Sequence, residues 1–94
     1  MCEKNDIDLN EVRNRIDDQL VKLLEERLHI VQEVALLKKR TGKKIFDEMR
    51  EKEVVAKNLK KVQNEELKHY IEIIFKDIMD SSKEYQKFRI GSTR

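Results

Sequence analysis

The chain has 94 residues, of which 43 % are charged and 38 % hydrophobic, with a net charge of +2. Lys and Arg are interleaved with Asp and Glu rather than gathered into a tract, which argues against a nucleic-acid surface, and there is neither an apolar run long enough to span a bilayer nor a signal-peptide pattern. The single Cys2 and the well separated His29 and His69 rule out an internal disulfide and show no metal-ligand cluster, and a reducing, cytoplasmic setting fits this cysteine usage.

Ninety-four residues make one domain, with a core expected over about residues 9–88. Residues 1–7 are polar and expected to be loose. Asp8 is a candidate N-cap, with Glu11 three residues on as its capping-box partner. From Leu9 to Lys39 there is neither Pro nor Gly. Leu9, Val12, Ile16, Leu20, Leu23, Leu24, Val31 and Val34 recur at spacings of three and four, the stripe of a helix. Lys38-Lys39-Arg40 and Gly42 mark its end. Such a helix is ~46 Å long, whereas a compact domain of this size is roughly 30–35 Å across. The stripe therefore needs another chain to cover it, most simply in a two-fold dimer.

Residues 41–46 form a short connection. Asp47 is placed to cap a second helix over about Glu48–Val62, whose narrower apolar set (Met49, Val54, Val55, Leu59, Val62) predicts more exposure. Gln63 and Asn64 make a tight joint, with Asn64 as the next N-cap. A third helix is predicted from Glu65 to about Phe88, its buried stripe formed by Ile71, Ile74, Phe75, Ile78 and Tyr85. The tail over 89–94, ending Gly91-Ser92-Thr93-Arg94, has no apolar pattern and is expected to be disordered. Strand signals and repeats are absent. The fold class is all-α, three helices: long, medium, long.

Polar residues stand where this pattern asks for apolar ones. Arg27 and Lys38 are 11 residues apart, three turns plus ~20°, so they share a face of the first helix and could clamp a small dianion. The bland alternative is solvated surface, and the chain has 21 Lys and Arg. On the third helix Ser82 and Gln86, four apart, face the same way: either a buried polar site or a helix end emerging into water. Asp47, Arg50 and Glu51 open the second helix, either as a cap with a surface ion pair or, with free backbone N–H groups, as part of a ligand site. No nucleophile–base pair or paired-acid arrangement stands out. Arg, Lys, Gln, Ser and Glu together bind and polarise, which suits electrostatic preorganisation or plain binding.

With these residues in place the chain resembles the all-helical class of chorismate mutases. The motifs are Leu23-Leu24-Glu25-Glu26-Arg27, Val34-Ala35-Leu36-Leu37-Lys38, Gly42-Lys43-Lys44-Ile45-Phe46-Asp47 leading into Arg50-Glu51, and Ser82 with Gln86. They stand in the family's order and spacing over about residues 9–88. The resemblance implies an intertwined homodimer with two active sites, and the cofactor-free, metal-free Claisen rearrangement of chorismate to prephenate in the shikimate pathway. It implies that Arg27 binds a substrate carboxylate with help from Ser82, and that Lys38 binds the ether oxygen and the side-chain carboxylate. Gln86 would donate to the same ether oxygen, Glu51 would accept from the ring hydroxyl near the Asp47 backbone, and Arg50 would order the pocket edge.

The family also sends an N-terminal arginine into the other chain's site. Counted back without a gap from Arg27, that position is Asn10. Val12-Arg13-Asn14-Arg15-Ile16-Asp17 resembles the segment that carries the arginine, and matching it requires a three-residue deletion before Asp18. That deletion shifts what precedes it by ~4.5 Å and about 60°. Arg13 is then the candidate. The connection also lacks the prolines common there in the family, so Lys44 and Glu48 leave it less rigid. Two rivals share the features: a pyruvate lyase acting on isochorismate, and a non-catalytic helical regulatory or interaction module.

Overall fold

The computed structural model describes the backbone of residues 2–90 and the side chains of residues 8–90. The described residues form three helices: α1 (Cys2–Thr41), α2 (Glu48–Leu59) and α3 (Glu65–Ile90). No strand occurs among the described residues. No helix among the described residues is long and apolar enough to cross a membrane. By its internal contacts the chain divides into two units, Met1–Ile30 and Val31–Arg94.

In the first unit the described residues are all α1. The helix begins at Cys2, so Asp8 lies inside it and is not its N-cap. The reason is local. Nothing from residue 2 to Asp8 breaks a helix, and each residue added to an existing helix gains a hydrogen bond without a new nucleation cost. With no second element in this unit, the apolar stripe is bare: Leu9, Val12, Ile16, Leu20 and Leu23 are 44–65 % exposed.

The second unit starts with the C-terminal part of α1, where Ala35 is completely buried. The end of α1 follows the Schellman pattern. Gly42 has φ +76°, its N–H donates to the Lys39 carbonyl at 3.4 Å, and the Lys43 N–H donates to the Lys38 carbonyl at 2.8 Å. The Thr41 hydroxyl adds a bond to the Leu37 carbonyl at 3.1 Å. Gly42 is required here because L side chains resist a left-handed backbone.

Asp47 caps α2 as expected, from an extended backbone, its Oδ1 accepting from the Met49 N–H at 3.0 Å and the Arg50 N–H at 3.3 Å. α2 stops at Leu59 rather than Val62. Its last turn tightens, with Lys61 N–H donating to the Asn58 carbonyl and Val62 N–H to the Leu59 carbonyl, both at 3.1 Å. Asn64 caps α3, its Oδ1 accepting from Glu66 N–H at 3.0 Å. α3 runs to Ile90, two residues past the expected end, because Ile90 is itself buried and rewards the extra turn. The expectation for Gly91–Arg94 lies outside the described residues.

α2 and α3 pack together; Val55 of α2 and Ser82 of α3 are buried. Ile71, Phe75, Ile78 and Tyr85 are half-buried as the stripe predicts, but Ile74 is 55 % exposed. It shares a face with Tyr70 and Ile73, also exposed, which neither neighbouring helix covers in a single chain.

Candidate functional site

Built from the second unit upward, the site begins where α3 meets α1. Gln86 Nε2 donates to the Val31 carbonyl at 2.9 Å, and the Tyr85 hydroxyl donates to Gln32 Oε1 at 2.8 Å. These bonds join residues more than fifty positions apart and set how α3 is turned against α1. Ser82, one turn before Gln86, is 5 % exposed, and its hydroxyl donates to the Ile78 carbonyl at 2.8 Å. Ser82 and Gln86 are therefore inward-facing polar groups, not a helix end emerging into water.

Lys38 is half-buried on α1 and makes no ion pair among the described residues. Its own carbonyl is held by the Lys43 N–H, so the turn that ends α1 also fixes the backbone from which Lys38 projects.

The start of α2 supplies the acidic part. A cleft of about 460 Å³ is lined by residues including Phe46, Asp47, Glu51 and Lys83. That volume lies in the range of small-ligand sites. Glu51 Oε2 meets Lys83 Nζ of α3 at 3.3 Å. Lys87 Nζ lies 5.9 Å from the centre of the Phe46 ring, a cation–π contact that holds the connection after α1 against α3. A second cleft of about 490 Å³ runs along the α2–α3 seam and shares Glu51, but its other lining residues are not among the sequence candidates.

The structure thus brings Asp47 and Glu51 together with an unforeseen partner, Lys83. Lys38, Ser82 and Gln86 do not line this cleft. Arg50 is exposed and points to Glu53 at 3.8 Å, a surface ion pair within one helix. The N–H groups expected to be free for a ligand at the start of α2 are largely spent, since Asp47 takes those of Met49 and Arg50. Its carboxylate is a cap first, because an extended Asp just before a helix is ideally placed to satisfy them.

Arg13 and Arg27 belong to the first unit. Arg27 is half-buried, and loss of hydration on burial lowers its guanidinium pKa from the ordinary value. Arg13 is exposed, and its Nη2 donates to Asn10 Oδ1 at 3.4 Å. The two residues that compete for the family's cross-chain arginine position are therefore neighbours on one helix face.

Sequence reasoning passed over Lys83, Gln32 and the Lys87–Phe46 contact. Tyr85 held a signal for Gln32, because a tyrosine in an apolar stripe needs a partner for its hydroxyl. Lys83 carried none, being one cation among 21 Lys and Arg.

Comparison with known proteins adds one match. The family model of chorismate mutase type II matches residues 12–87, a span that contains every candidate residue from Arg13 to Gln86 and leaves Asn10 outside. Neither the curated proteins nor the solved structures gave a match to the chain. With three helices in the order the motifs require and a family match over most of its length, this chain belongs to the chorismate mutase type II family.

Proposed function

We propose that the protein is a chorismate mutase, a homodimeric isomerase that converts chorismate to prephenate without a cofactor. The observation that supports this most is the family match over residues 12–87, which takes in the whole set of cations and neutral donors. That set suits a unimolecular reaction. The rearrangement breaks a C–O bond as it forms a C–C bond, and negative charge grows on the ether oxygen. An enzyme helps by holding the compact conformer and aiming fixed donors at that oxygen.

Gln86 and Lys38 are those donors. One N–H of the Gln86 amide is held by the Val31 carbonyl, which fixes the side chain and leaves the second N–H for substrate. Lys38 contributes a positive charge that makes no ion pair among the described residues. Arg27 receives a substrate carboxylate. Burial has already removed part of its hydration, so less of it is left to lose when the anion binds. Ser82 assists once its hydroxyl proton turns from the Ile78 carbonyl to the carboxylate. Glu51 accepts from the ring hydroxyl through the oxygen that Lys83 does not hold, with the Asp47 backbone beside it. Arg50 orders the pocket edge, and Arg13 arrives from the other chain.

Following the loss of chorismate absorbance with purified protein tests the reaction. Chorismate consumed with formation of prephenate is expected. Pyruvate released from isochorismate, with chorismate untouched, would move the protein to the lyase reading. Binding of chorismate or prephenate without turnover would make it a regulatory module.

The dimer is supported by the exposed stripe of α1. Burying one such side chain yields about 1.5–3 kcal/mol, and a second copy of α1 offers the matching apolar surface. The unfolding midpoint should rise with protein concentration. A monomeric mass at micromolar concentration, with full helicity and activity, would overturn the dimer.

A further inference from the structure

The ion pairs Glu11–Arg15, Arg50–Glu53, Glu65–Lys68, Glu72–Lys76 and Glu84–Lys87 each join neighbours three or four apart on one helix. Lys83 with Glu51 instead crosses from α3 to α2. Both its side chains are withdrawn from water, with Lys83 30 % and Glu51 25 % exposed. Both line the cleft that also holds Asp47 and Phe46. Lys83 stands between Ser82 and Gln86 in sequence but on a different face of α3, turned toward the start of α2.

Glu51 poses a physical problem in the proposed reaction. Its substrate carries two carboxylates, so a bare glutamate in the pocket repels it. A glutamate also has several rotatable bonds, and a hydroxyl acceptor has to be held in one place to contribute binding. We infer that Lys83 is the positioning residue for Glu51: its ammonium group holds Oε2, offsets the charge facing the dianion, and leaves Oε1 directed at the ring hydroxyl. The backbone of Glu51 is already fixed, since its N–H donates to the Asp47 carbonyl at 3.0 Å. Lys83 settles the side chain. The inference rests on the proposed chorismate reaction and adds to it a residue that does not touch the reacting bond.

The ring hydroxyl sits on the carbon beside the C–O bond that breaks but keeps all its own bonds, so its acceptor acts mainly on binding, in ground state and transition state alike. Loss of such binding raises KM and leaves kcat nearly alone. Lys83→Met should raise KM for chorismate about tenfold, the scale of one charge-assisted hydrogen bond, with kcat within about threefold of wild type. Lys83→Arg should restore KM. In a Glu51→Gln background Lys83→Met should cause no further rise, because there is no carboxylate left to position.

The experiment is steady-state kinetics on these variants, with thermal melts alongside. An unchanged KM in Lys83→Met overturns the inference. So does a Lys83→Met effect that persists in full on Glu51→Gln, or a loss of kcat that follows a lowered melting temperature and is not rescued by Arg; each marks a tether between helices only. Wild-type protein that fails to turn over chorismate overturns the reaction itself, a different result from wild-type turnover that ignores Lys83.

Discussion

Gln86→Glu is expected to be nearly inactive at neutral pH and to recover as the pH falls. The ether oxygen is an acceptor throughout the rearrangement and grows more negative toward the transition state. An amide N–H serves it at any ordinary pH, whereas an ionised carboxylate has no proton to give and repels the growing charge. Loss of one such donor costs about 10²–10³ in rate, or ~3–4 kcal/mol. Protonating the new glutamate restores a donor, so the sign is fixed: activity rises toward acid.

The Val31 contact makes this test sharper. Gln86 also ties α3 to α1, and an ionised glutamate there faces a carbonyl oxygen with nothing to donate, so folding weakens at neutral pH as well. The measurement is therefore turnover per folded molecule, with circular dichroism at each pH for wild type and variant. A variant whose activity per folded chain tracks wild type across the range would assign Gln86 to the tie alone and remove it from the breaking bond.

Arg13→Ala is expected to lower kcat/KM by at least about tenfold, the scale of a lost charge-assisted contact to a carboxylate, while Asn10→Ala leaves it unchanged. Arg13 is exposed on its own chain and hydrogen-bonds to its helix neighbour Asn10, so its loss costs its own chain little packing. The decisive form is complementation. A dimer of one Arg13→Ala chain and one Arg27→Ala chain carries both lesions in one site and neither in the other. Random exchange puts half the chains into such dimers, so about a quarter of wild-type activity should return from two poorly active parents. No recovery after exchange, or an Arg13→Ala protein as active as wild type, would show that this arginine does not act across the interface.

The parts of this fold that are legible without a structure are those whose partners lie within a few residues. Gly42 ends α1 because the bonds that close it come from Lys39 and Lys38, and Asp47 and Asn64 cap the next helices through N–H groups two or three positions on. Periodicity alone also marks the stripe of α1 as needing cover. Even local signals lose where a stronger one competes: Asp8 has the composition of a cap, yet the helix runs through it from Cys2 because nothing there stops propagation.

The site divides along the same line. The sequence by itself determined the family, whose model matches residues 12–87, and the three-helix order. Only the tertiary structure decided that Ser82 is buried, that Gln86 is anchored on the Val31 carbonyl, and that Lys83 reaches across to Glu51. The reason is geometric. Spacing along one helix places side chains relative to each other, but a bond between helices depends on how each is rotated and how closely they approach, and that is set by packing over the whole unit rather than by any short stretch of chain.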